Sequence, residues 1–272
     1  MRLAVTDGRL ALIEGGRARD VTRWAFAASP VRTEDPLIAF IHARNAGATP
    51  EGDAIAPPTR FSAPLSHPGK IIAAAANYRK HTQEMNPGVA NPGGIHEKGF
   101  FLKAPSSIIG PGKPIRLPFA DRRTDHEAEL AVVIGRRGRA IAPEAALDHI
   151  FGYTCLLDIT VRGKEDRGLR KSFDTFTPMG PWVVTRDEIP GAPDLEVVCR
   201  LNGEVRQQDR TSSMIMPVAE LVAWISRVMT LEPGDVIATG TPAGVGPLAP
   251  GDRVAIEIER IGGFEVPVEA AA

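Results

Sequence analysis

Residues 126–134 read His-Glu-Ala-Glu-Leu-Ala-Val-Val-Ile. The pattern is that of a buried β-strand that opens on two acids. In a strand, side chains at i and i+2 share a face. Glu127 and Glu129 therefore project side by side, with Ala131 and Val133 continuing their face. Ala128, Leu130, Val132 and Ile134 line the other. Two neighbouring carboxylates repel, and burying them is costly unless a cation lies between them or one takes up a proton. The pair admits two readings at this point: solvated acids at a strand end, or two ligands of a hard divalent metal ion.

Composition narrows the class. The chain has 272 residues, enough for one large domain or a small and a larger one. Its formal net charge is -1, so nothing points to nucleic acid as a partner. Twenty-four prolines and 27 glycines imply many turns and short elements. No apolar run reaches membrane-spanning length and no signal peptide is recognised, so a cytoplasmic location is expected. Cys155 and Cys199 sit in apolar strand-like segments, lack metal-ligand spacing, and read as reduced core thiols.

Working outward, residues 1–20 read as a small β-meander with turns at Asp7-Gly8 and Gly15-Gly16. Asp35-Pro36 reads as an N-cap followed by proline at the first helical position, with Leu37, Ile38 and Ile41 as the apolar stripe. Residues 48–69 are rich in Pro, Gly, Ser and Ala. They read as a linker, which divides the chain into a small N-terminal domain, 1–69, and a larger domain, 70–272.

Ile71 to Ala76 reads as a buried strand that delivers Asn77-Tyr78-Arg79-Lys80-His81-Thr82-Gln83-Glu84. His81 and Glu84 are three apart and share a helical face. A carboxylate beside an imidazole fixes its tautomer and raises its basicity, as in a general base for water; a surface histidine with an incidental glutamate fits the same spacing. Residues 86–99 read as a polar, glycine-rich loop of the length used for lids. Tyr153 to Leu157 is a strand that ends on a third acid, Asp158. Arg162, Lys164, Arg167, Arg170 and Lys171 follow, a basic segment suited to an anionic substrate or to a solvated loop. Residues 172–182 read as an aromatic, proline-punctuated loop. Asn202-Gly203 is the strongest hairpin signal in the chain, and Pro217 to Met229 is its clearest amphipathic helix. Neither a Walker motif nor a Gly-x-Gly-x-x-Gly fingerprint is present.

Several blocks, in order, resemble the fumarylacetoacetate hydrolase family: Asn77-Tyr78…His81…Glu84, Lys103-Ala-Pro-Ser-Ser, Asp125-His-Glu127-Ala-Glu129-Leu-Ala-Val-Val-Ile-Gly, Asp158…Arg162, Lys171-Ser-Phe-Asp-Thr-Phe, and Thr239-Gly-Thr-Pro-Ala-Gly-Val-Gly. The resemblance covers roughly residues 70–270. It implies a β-rich α+β fold, a mixed β-sandwich roll with short flanking helices, usually assembled as a homodimer. It implies Mg²⁺ or Mn²⁺ on Glu127, Glu129 and Asp158; three carboxylates with open positions suit a hard cation. It implies that His81 and Glu84 activate water, that Lys171 contacts the substrate, and that Arg79, Arg162 and Thr241 help to bind it. The reaction implied is hydrolysis of a C–C bond in a 2,4-dioxo acid of the acylpyruvate or fumarylpyruvate kind, giving a 2-oxo acid and a carboxylic acid. Decarboxylation or isomerisation of a 2-oxo acid is the alternative, and a non-catalytic binding protein a more distant one. The chain departs from the family at Leu157, often Asn there, and at Gly163, often Asp; both departures bear on the substrate rather than on the metal.

Overall fold

A computed structural model describes residues 1–270. Strands run in chain order as β1 (Arg2–Thr6), β2 (Arg9–Glu14), β3 (Arg17–Asp20), β4 (Asp53–Ile55), β5 (Ile71–Ala74), β6 (Phe100–Lys103), β7 (Ile108–Ile109), β8 (Ile115–Leu117), β9 (Thr124–His126) and β10 (Ala128–Ile134). They continue as β11 (Ile150–Leu157), β12 (Thr160–Val161), β13 (Thr177–Thr185), β14 (Glu196–Leu201), β15 (Glu204–Arg210), β16 (Val236–Ala238), β17 (Gly246–Pro247), β18 (Arg253–Ile258) and β19 (Gly262–Ala270). The helices are short: α1 (Thr22–Ala28), α2 (Pro36–Asn45), α3 (Arg79–Met85), α4 (Ile95–Lys98), α5 (Arg167–Lys171) and α6 (Val218–Val228).

The long sheet has the order β4-β3-β2-β1-β13-β11-β10-β16-β5-β6, with β7 paired to β13. It is mixed: β16 and β5 run parallel, while β10 pairs antiparallel with both β11 and β16. A second sheet, β15-β14-β18-β19-β8, lies across it, and the three-stranded β12-β9-β17 closes the end near β9. This is the expected mixed β-sandwich roll.

The period of two in β10 sorts its residues into two cores. Ala128, Leu130, Val132 and Ile134 join the larger core, shared with α6 and with β14, β18 and β19. Ala131 and Val133 join a second core against α2 and the meander. Covered on both faces, β10 is anchored by side chains whose burial is worth about 1.5–3 kcal/mol each for Val, Leu or Ile. Its N-terminal end is thus a rigid mount for Glu127 and Glu129.

Most local expectations are met. The Asp35 carboxylate caps α2, accepting from Leu37 and Ile38 N–H groups at 3.0 and 3.2 Å. Asn202 and Gly203 adopt φ of 54° and 86°, as the β14–β15 hairpin turn requires. Both cysteines are buried and unpaired. Three expectations are corrected. Residues 177–185 form strand β13 rather than a loop, because Pro181 falls in an irregularity of the β11–β13 pairing between Gly180 and Val184, and Pro178 lies beyond the last β11 pair, at Met179, where β13 meets only the two-residue β7. Within the 48–69 stretch, Asp53–Ile55 adds an edge strand to the meander; it is too short and exposed to carry an apolar alternation. The 86–99 loop ends in a helical turn, α4, rather than remaining irregular. Among the described residues, no helix is long and apolar enough to cross a membrane.

Candidate active site

The ends of β5, β9–β10 and β11 converge beneath the loop 239–245. Glu127, between β9 and β10, Glu129 on β10 and Asp158 after β11 are buried, and one carboxylate oxygen from each lies within 4.8 Å of the others. Strand pairing brings the third acid in. The Asp158 N–H donates to the Glu127 carbonyl at 2.8 Å, and Ala128 sits opposite Leu157.

Two lysines hold Asp158. Lys103 Nζ contacts Oδ1 and Lys171 Nζ contacts Oδ2, each at 2.5 Å; Lys171 also reaches Glu127 Oε2 at 2.7 Å. Arg162 approaches Glu127 Oε1 at 2.9 Å through Nη2, while its Nε holds Asp125 at 2.7 Å. Glu129 has a different partner, the Gly240 N–H, which donates to Oε2 at 2.7 Å. Only glycine fits there: φ is +100°, and an added Cβ would lie 2.7 Å from Asn77 Cβ.

Charge follows this unequal partnering. Burial raises the Glu127 carboxyl, but Lys171 and then Arg162 outweigh it and hold the group well below the usual range. For Glu129, burial and then the Asp158 charge push the carboxyl well above that range. Burial alone would lower Lys171, yet Asp158 and Glu127 hold it above its ordinary value. Lys103 is lowered, chiefly by burial. A buried set of three oxygen donors, one of them driven toward protonation by burial and then by a neighbouring charge, fits a divalent cation, which offsets both.

A cavity of about 740 Å³ opens over the acids. His81 and Glu84 line it from α3. His81 Nδ1 lies 3.2 Å from Glu84 Oε2, and the Gly244 N–H donates to Glu84 Oε1 at 3.0 Å. Burial raises the Glu84 carboxyl, but its hydrogen bonds to His81 and Gly244 bring it below the ordinary value, so it stays ionised. Arg162, Lys171 and Thr241 also line the cavity. The Thr241 hydroxyl is already engaged, donating to the Ala128 carbonyl at 2.8 Å and accepting from Gln207 Nε2 at 2.7 Å. Arg79 does not reach the cavity. It is exposed, two residues before His81, and residues two apart on a helix face away from each other.

Sequence reasoning left Lys103 and Gly240 without roles. Lys103 had a local signal: a lysine closing an apolar strand, on the same strand face as Phe101, which lines the cavity. Its partnership with Asp158, 55 residues away, had none.

Fold and site together define a divalent-metal-dependent enzyme. Residues 70–269 match the fumarylacetoacetate (FAA) hydrolase C-terminal family. The chain is 43% identical to a maleylpyruvate hydrolase of Aquipseudomonas alcaligenes over 97% of each chain. It is 42% identical to a mitochondrial oxaloacetate tautomerase of Xenopus laevis over 76% of this chain and 67% of that one. Its structure is similar to that of maleylpyruvate hydrolase from Sphingobium sp. SYK-6 in complex with manganese(II) and pyruvate, with a TM-score of 0.82, 36% identity and full coverage of both chains. The chain belongs to the fumarylacetoacetate hydrolase family.

Proposed function

We propose that this enzyme hydrolyses a C–C bond in a 2,4-dioxo acid, releasing a 2-oxo acid and a carboxylic acid. The observation that carries this reading is one cavity lined by the His81–Glu84 pair and by Glu127 and Glu129, with Asp158 clustered against those two acids. Glu127, Glu129 and Asp158 would hold Mg²⁺ or Mn²⁺. Such an ion, when bound, supplies Lewis-acid stabilisation of the negative charge that develops as the bond breaks.

Glu84 accepts from His81 Nδ1–H, which leaves Nε2 as the base for a water proton. The water oxygen bonds to the C4 carbonyl carbon, and the C3–C4 bond breaks. Its electron pair goes to the 2-oxo acid fragment, which takes up a proton at C3. R–CO–CH₂–CO–COO⁻ and H₂O thus yield R–COO⁻, pyruvate and H⁺. Lys171, held cationic by two carboxylates, adds positive charge beside the reacting oxygens.

The oxaloacetate tautomerase relative favours a second reading, proton relocation in, or decarboxylation of, a 2-oxo acid at the same site. These reactions need no attacking water. Assays with acetylpyruvate, fumarylpyruvate and oxaloacetate, following diketone absorbance, keto–enol interconversion and CO₂ separately, distinguish them. Diketone loss without CO₂ supports hydrolysis; CO₂ release or interconversion without diketone loss overturns it.

We propose as well that residues 1–69 form a small N-terminal unit beside a catalytic unit at 70–272. We place the enzyme in the cytoplasm as a homodimer without nucleic-acid or membrane partners; light scattering that gives a monomer mass would overturn the dimer.

A further inference from the structure

Strand β15 is the edge of the five-stranded sheet, and Gln207 is its one buried residue. Gln207 is fully buried, whereas Val205, two residues earlier, is exposed. An amide replaces an apolar side chain inside a protein at a cost, unless its donors and acceptors are all paired.

Here they are paired. Gln207 Oε1 accepts from the Ala128 N–H at 3.0 Å and from the His126 Nδ1–H at 3.1 Å. Gln207 Nε2 donates to the Pro242 carbonyl and to the Thr241 hydroxyl, each at 2.7 Å. The Ala128 N–H can only donate and the Pro242 carbonyl can only accept, so the amide has a single orientation. The amide thus joins two segments that carry the active site. On one side are His126 and Ala128, which flank Glu127. On the other is the loop 239–245, whose Gly240 N–H holds Glu129 and whose Gly244 N–H holds Glu84. Asn77 grips the start of that loop, donating from Nδ2 to the Thr239 carbonyl at 2.8 Å. Gln207 grips its middle. The far end packs on the backbone of β15: Gly244 has φ of +101°, and an added Cβ would overlap the Arg206 carbonyl. Gln207 itself stands outside the cavity lining.

We propose that Gln207 is a positioning residue, which acts through the loop to set Glu129 for the metal ion and Glu84 for His81 at once. It touches neither substrate nor metal. Its hold on Glu84 bears on turnover only under the hydrolase reading above; its hold on Glu129 bears on metal binding alone.

Two variants test this. Gln207→Met removes all four hydrogen bonds with little change of size. Gln207→Glu keeps both acceptors for the strand and loses both donors to the loop. Fumarylpyruvate hydrolysis at saturating Mn²⁺ and Mn²⁺ calorimetry are measured for each, in the wild-type chain and in His81→Ala. Each variant is expected to lower kcat about tenfold or more and to weaken Mn²⁺ binding about tenfold, the lower end for a group that orients a metal ligand. Added to His81→Ala, Gln207→Glu is expected to cost less than about threefold further in kcat, because the base it helps to orient is gone. A residue that serves only the fold would give the same fold-loss in both backgrounds and leave the Mn²⁺ affinity of the folded protein unchanged. Either result would overturn the proposal, as would an unchanged kcat. If Gln207→Met does not fold, Gln207→Glu decides; loss of folding in both would assign Gln207 to the fold alone and overturn the proposal. A wild type without hydrolytic turnover would defeat the hydrolase reading instead. The Mn²⁺ affinities then decide: weaker binding in Gln207→Glu supports the hold on Glu129, and equal binding overturns it.

Discussion

The N-terminal meander and the acid end of β10 share one sheet but are held by opposite kinds of force. Around β1, β2 and α2, fully buried Leu3, Leu10, Leu12, Leu37 and Phe40 pack against Ala131 and Val133. That region gains stability from every contact it makes. At the other end of the same strand, Glu127 and Glu129 are buried beside Asp158, and the local arrangement is costly until cations offset it. The apolar part of β10 supplies the rigidity, and the acid end uses it to hold like charges together where a solvated loop would let them separate.

The sharpest way to break this contrast is Glu127→Ala. It removes a proposed metal ligand and leaves Lys171 and Arg162 without one of their carboxylates. Turnover is expected to fall at least about 10³-fold, at the upper end for loss of one electrostatic stabiliser. Metal-binding calorimetry and a dioxo-acid assay check it. Phe40→Ala probes the opposite region. Phe40 is fully buried and meets Trp24 and Phe151 edge-on, with centroid separations of 5.4 and 6.2 Å. Denaturant unfolding should show a loss of about 3–5 kcal/mol, with metal affinity of the folded enzyme unchanged.

His81→Ala separates chemistry from metal binding. Hydrolysis is expected to drop at least about 10²-fold, as for loss of a general base, while Mn²⁺ affinity is retained. The smallest effect has the opposite sign. Glu129→Gln keeps an acceptor for the Gly240 N–H and removes a buried carboxyl that the metal-free fold forces to take up a proton. The metal-free protein should gain about 1–2 kcal/mol, seen as a Tm higher by a few degrees, and the stabilisation conferred by added Mn²⁺ should shrink.

What was legible in the sequence was local and periodic. The alternation in 126–134 gave the two faces of β10, the three-residue spacing gave the His81–Glu84 contact, and Asn202-Gly203 gave its hairpin. The placement of Asp158 beside Glu127 followed only from family likeness, because it depends on the β10–β11 register. The grip of Lys103 on Asp158, the Gly240 contact to Glu129 and the ion pair of Arg162 with Asp125 join segments far apart in the chain, and no local pattern encodes them. Arg79, which the resemblance implies for substrate binding, is exposed and stands outside the cavity lining, on the opposite side of α3 from His81. The prolines of β13 read as a loop because what accommodates them, a pairing irregularity with β11 at Pro181 and the short β7 beside Pro178, lies partly in other strands.

The most direct test of the central claim is a metal titration of chelator-stripped enzyme, with hydrolysis of fumarylpyruvate and acetylpyruvate followed as Mn²⁺ is added. The account predicts no turnover in the stripped enzyme and full recovery at one ion per chain, with Glu127→Ala failing to recover. Full activity in a verified metal-free preparation, or recovery by Glu127→Ala equal to that of the wild type, would contradict it.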